Sequence, residues 1–209
     1  MFLALLRREI EDYAYGLIGS LVCGLFFAVM ILLLCPEVTP EYAHIYQVLL
    51  FVLPVFAVGA GTMGATQMVN DRRTGTLAFL LTSRPAWTHI LAAKWMAGLL
   101  GILTGMLPVV AATHIAFDRW TRLVPLDITL LHDMLLCIFW TALASYALGA
   151  RITLKESKSA TLRAVLATLG IVLSIVLIKG VGFGAHIAFL ILAVAALVDL
   201  GYRLRERAW

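Results

Sequence analysis

The sequence predicts an all-α integral membrane protein, an N-terminal interfacial helix at residues 1–13 followed by six transmembrane helices, with both termini in the cytoplasm. Composition is the first ground: hydrophobic residues make up 62% of the chain and charged ones 13%, against about 25% charged in soluble domains, which leaves no means of building a water-facing surface. The second is a series of charge-free apolar stretches close to the ~20 residues that a helix needs to cross hydrocarbon. The third is the placing of the bases. Counting alternate sides from a cytoplasmic N-terminus, 13 of the 16 Lys and Arg residues fall inside and only Arg119, Arg122 and Lys179 outside. That asymmetry orients the spans and favours an even number of them.

The elements follow in order. Leu3, Leu6, Ile10, Tyr13 and Leu17 recur at helical spacing while Arg7, Arg8, Glu11 and Asp12 occupy the opposite face, the pattern of a helix lying in the membrane interface. Apolar stretches then run over 13–36, 42–70, 95–117, 134–150, 164–178 and 180–198. The first three exceed the spanning length. The fourth reaches it with residues 130–132, and the fifth by letting Arg163 and Lys179 reach outward from its two ends. Gly180, Gly182 and Gly184 mark a turn between the last two spans. Ala60 and Gly64, Gly61 and Ala65, and Gly101 and Gly105 are each four positions apart, a spacing that strips side chains from one helix stripe and allows close packing.

Several kinds of chemistry find no residues here. Cys23, Cys35 and Cys137 have no metal-like spacing, and His44, His89, His114, His132 and His186 are scattered, with none paired for metal binding on one helix face. His114 and His186 lie near the outer ends of spans. No glycine-rich loop followed by Lys-Ser or Lys-Thr occurs, so no ATP site of that type is present. The bases sit at span ends, where anionic lipid accounts for them, and nucleic acid is not an expected partner. Only Lys179 and Asp199 come near the membrane interior, and Asp199 is placed to pair with Arg203 one turn on. An ion-coupled carrier would carry a mid-span carboxylate. Its absence points to an external energy source.

The loop at 70–93 carries the most specific signal. It begins with Asp71, Arg72 and Arg73, continues through Gly75, Thr76 and Leu77 into an apolar helix face of Leu77, Leu80 and Leu81, and breaks at Pro85. Leucines displayed on a cytoplasmic loop imply that something covers them. With Thr82, Ser83 and the Lys94 that opens the third span, this run resembles the permease subunit of type-2 ABC exporters, as does the N-terminal run of Arg7, Arg8 and Glu9 before six spans. In that family the loop is a coupling helix that docks in a groove on a separate ATPase.

The resemblance implies a single transmembrane permease domain over 1–209 in the bacterial cytoplasmic membrane, paired with a second permease chain as a homo- or heterodimer and driven by two cytoplasmic ABC ATPase subunits that bind ATP and Mg. It further implies that Gly75, Thr76, Leu77, Leu80 and Leu81 lie at the ATPase contact, with Asp71, Arg72 and Arg73 at its rim. The permease itself does no covalent chemistry. Ala78 stands where the family usually has a glutamate, and the turn at 180–184 is shorter than the re-entrant element usual before the sixth span. Two other readings stay open. A membrane-embedded substrate-binding subunit of a small-molecule importer has similar size, though an alanine-rich first span is expected of it and this one is rich in Leu and Phe. An intramembrane enzyme would need a catalytic pair inside the spans.

Overall fold

The computed structural model of the chain describes residues 2–34, 43–73, 87–120, 128–153, 170 and 183–207. Among these residues the fold is all helical, with six helices: α1 (Phe2–Asp12), α2 (Ala14–Leu34), α3 (Ala43–Arg73), α4 (Trp87–Trp120), α5 (Ile128–Ile152) and α6 (Phe183–Arg207). The last five are long and apolar enough to cross a membrane, so the molecule has the architecture of a multi-pass membrane protein. The span expected at 164–178 lies outside the described residues, apart from Gly170.

Tyr13 separates α1 from α2, and the chain passes the break with Tyr13 N–H bonded to the Glu9 carbonyl at 3.0 Å and Leu17 N–H to the Tyr13 carbonyl at 3.1 Å. Two of the helices run further than the apolar stretches alone imply. α3 continues to Arg73 and α4 begins at Trp87, so both margins of the expected 70–93 loop are helical. α6 begins at Phe183, inside the expected glycine turn. Pro54 and Pro108 are accommodated within α3 and α4, as spans tolerate when neighbouring helices take up the freed carbonyls.

Two helix pairs form the frame. α3 packs on α5, and α2 packs on α4. In the first pair, a Cβ on Gly149 would strike the Gly61 carbonyl and one on Gly64 the Tyr146 carbonyl. In the second, Gly24 lies against the Gly105 backbone, and the Ser20 hydroxyl donates to the Gly101 carbonyl at 2.6 Å. Small residues thus bring backbones into contact, the packing that substitutes inside a membrane for the missing hydrophobic drive. Gly64 of the Ala60–Gly64 stripe and Gly61 of the Gly61–Ala65 stripe meet α5, and the Gly101–Gly105 stripe meets α2.

α5 is the central helix. Every residue from Thr141 to Ala150 is buried, with α3 on one flank and α6 on another. The core around it includes Val52, Ala57, Ile102, Ile138 and Phe189. α2 is the most peripheral span, with Ile18, Val22, Phe26, Val29 and Leu33 all more than half exposed.

α5 and α6 run in the same direction. Arg151 meets Asp199 at one end, and Asp133 lies beside His186 at the other. α5 therefore ends, and α6 begins, at opposite ends of the bundle. The end holding Arg7, Arg8, Arg151 and Arg203 is called here the basic end.

Candidate functional site

Five polar side chains from four helices converge just inside the basic end. Lys94 is the centre. It sits seven residues into α4, roughly 10 Å along the axis, on a buried stripe with Ile90, Ala93 and Ala97. Its ammonium donates to both carboxylate oxygens of Glu9 on α1, at 2.9 and 3.0 Å, and forms an ion pair with Asp71 at the end of α3. Gln67, one turn before Asp71, donates from Nε2 to Glu9 Oε2 at 2.8 Å. The Tyr146 hydroxyl on α5 lies between Gln67 Oε1 and the Lys94 carbonyl oxygen, the latter 2.8 Å away, and its one proton serves one acceptor at a time.

Lys94 is 1% exposed and Glu9 4%, so the electrostatics must balance internally. Arg8 supplies the second cation: its Nη2 lies 3.9 Å from Asp71 Oδ1 and its Nε 3.3 Å from Asp12 Oδ2. Two carboxylates, Glu9 and Asp71, are therefore matched by Lys94 within and Arg8 at the edge. Such a cluster adds little net stability over an apolar one, but removing one member strands a buried charge, at about 3–5 kcal/mol. Its chemical character is that of a fastener. It joins α1, α3, α4 and α5 through charge-assisted bonds of fixed geometry.

Tyr13 closes the side of the cluster towards α2. Its ring lies over Gly16, where a Cβ would meet the ring atoms. Burial pushes its phenol up to about 12, against the smaller opposing effect of a hydrogen bond with the Thr66 side chain. The group is neutral throughout the physiological range.

A second ionic group joins α5 to α6. Asp199 Oδ2 accepts from Arg151 Nε at 2.6 Å and from Arg203 Nε at 2.7 Å, so the expected Asp199–Arg203 pair forms and gains Arg151. At the opposite end His186 Nε2 is 3.5 Å from Asp133 Oδ1, and the His114 and His132 rings lie 5.5 Å apart. No three of the described His, Cys, Asp and Glu side chains are grouped to hold a metal.

Of the residues that the sequence singles out, Asp71 is buried in the ionic cluster. Arg72 and Arg73 are the last residues of α3, and their side chains lie outside the described set. Gly75, Thr76, Leu77, Leu80 and Leu81 also lie outside the described residues. Glu9, Gln67, Lys94 and Tyr146 do not stand out as a group in the sequence, yet the structure buries them together inside the protein. The physical reason is mutual neutralisation, which allows buried charge that hydropathy alone rejects. A signal was present: Lys94 shares its helix face with Ile90, Ala97 and Gly101, and Glu9 shares one with Phe2, Leu6 and Tyr13.

No family model, no curated protein and no solved structure matches the chain.

Proposed function

We propose that the chain is the transmembrane permease subunit of an ATP-driven ABC exporter, working with a second permease chain and two separate ATPase subunits, with its basic end in the cytoplasm. One observation carries the reading: the run from Gly75 to Leu81 lies between two helices whose facing ends are bound to each other by the Asp71–Lys94 ion pair. A force applied to that run by a partner reaches α3 and α4 together, and through Glu9 and Tyr146 it reaches α1 and α5. Closure of the ATPase pair on ATP then drives a rigid-body switch of the spans between two packings that open to opposite sides. The permease contributes differential affinity for cargo in those two states and no bond-making step.

The test is co-purification. Leu80→Asp abolishes recovery of the ATPase with the membrane chain and leaves membrane insertion intact. Full recovery of the ATPase with this variant would show that the leucine face is not the contact.

A further inference from the structure

α4 and α5 run in opposite directions, since Lys94 near the start of α4 and Arg151 near the end of α5 both belong to the basic end. At the other end of the bundle each helix presents a histidine. His114 lies one turn before Asp118 near the end of α4, and His132 sits in the second turn of α5. From Lys94 to His114 the helix rises roughly 30 Å, about the thickness of a hydrocarbon core. The pair therefore lies near the opposite water boundary from the ionic cluster.

The two rings meet across the helices, their centroids 5.5 Å apart and their planes inclined at 47°. His132 is exposed and His114 half-buried. Among the described residues neither ring is engaged in a hydrogen bond or an ion pair.

We infer that His114 and His132 form a two-histidine site for a divalent transition cation such as Cu²⁺, Ni²⁺ or Zn²⁺. A neutral imidazole keeps one nitrogen lone pair free for a metal. Two rings that bind one ion through nitrogens at ~2.0–2.1 Å have centroids roughly 5 Å apart at a tetrahedral angle, close to the observed spacing. Imidazole selects these ions, whereas Mg²⁺ and Ca²⁺ take oxygen ligands. The His186 ring belongs to a different contact, beside Asp133 on the side of α5 that faces α6.

No third described His, Cys, Asp or Glu joins the pair, so water completes the coordination and the ion stays exchangeable. A structural metal centre would be closed by four protein ligands. The site is that of a responsive cation, one that ties α4 to α5 at the end opposite the bond between Tyr146 and the Lys94 carbonyl. Binding stands whether or not an ATPase drives the chain; that the bound ion holds the spans in one packing rests on the permease reading.

The experiment titrates Cu²⁺ into the full chain, purified through a tag without histidines and held in phosphatidylcholine nanodiscs, and records the paramagnetic resonance spectrum. One ion per chain with splitting from two coordinated nitrogens is expected. Excess Zn²⁺ should displace it, and Mg²⁺ should not. His114→Gln and His132→Gln should each weaken binding beyond the roughly 10–100-fold that follows loss of a group merely supporting a ligand. His89→Gln, at an exposed position towards the basic end, should leave it unchanged. A spectrum with a single nitrogen, displacement by Mg²⁺ as readily as by Zn²⁺, or wild-type affinity in either ligand variant would each overturn the inference. The wild-type spectrum and its displacement decide the matter even if a variant fails to fold. None of these readings depends on an ATPase, so a failure here is distinct from a failure of the co-purification test.

Discussion

Lys94 is the residue on which most of the described polar structure converges, and its removal gives the sharpest single-site expectation. Lys94→Met leaves the Glu9 and Asp71 carboxylates buried beside a thioether, and the loss is expected near the ~3–5 kcal/mol of a broken buried pair. Glu9→Gln added to that variant removes one stranded charge, so the double variant should be more stable than Lys94→Met alone. Thermal unfolding of the three proteins in one detergent measures it, and additive losses would mean that the two residues do not share an ionic cluster. Asp199→Ala offers a contrast. Asp199 and its two arginines are each about a third or more exposed, and a loss under about 1 kcal/mol is expected there. At this scale the sequence was only partly legible. The Asp199–Arg203 pair follows from spacing within one helix. Glu9, Gln67, Lys94 and Tyr146 come from four separate helices, and no local pattern brings them together.

Helices were legible because each one is written in its own residues. The apolar stretches predict five of the spans that the structure describes, and charged run-ins account for most errors at the ends, since Asp71 to Arg73 and Trp87 to Lys94 continue helices that hydropathy cuts short. The glycine stripes were visible too, but their partners were not, because a stripe of small residues says that something approaches without saying what. The structure resolves the glycines into two kinds, and substitution separates them. Gly149→Leu drives a side chain into the Gly61 backbone, which cannot swing aside as a flexible side chain would. Loss of the α3–α5 crossing and of folded yield is expected. Gly59→Ala meets open space within the same helix pair's surroundings and should be neutral or stabilising by up to about 1 kcal/mol, through helix propensity. Folded yield and thermal unfolding of the pair decide it. Similar behaviour in the two variants would mean that the close crossing is absent.

For the molecule as a whole, the bases read from sequence and the helix directions read from structure make one joint statement about sidedness. By the positive-inside rule the sequence predicts Arg7, Arg8, Arg151 and Arg203 on the cytoplasmic side. The structure independently gathers these four residues at one end, and the ion pair between Arg151 and Asp199 aligns α5 with α6. Because α5 and α6 are parallel, α6 starts on the far side from where α5 stops. In a background freed of Cys23, Cys35 and Cys137, Arg151→Cys should react with an impermeant maleimide from the cytoplasmic side only. Phe183→Cys, at a position 78% exposed, should react from the exterior only. Arg203 still holds Asp199 when Arg151 is replaced, so the first variant keeps the end of α6 anchored. Labelling of both positions from one side would require α6 to run against α5, which would carry Asp199 to the opposite end from Arg151. The ionic contact and the even span count would then fail together. Labelling from opposite sides, with Arg151 exterior, would instead keep the fold and invert the molecule, turning the loop between α3 and α4 away from any cytoplasmic ATPase.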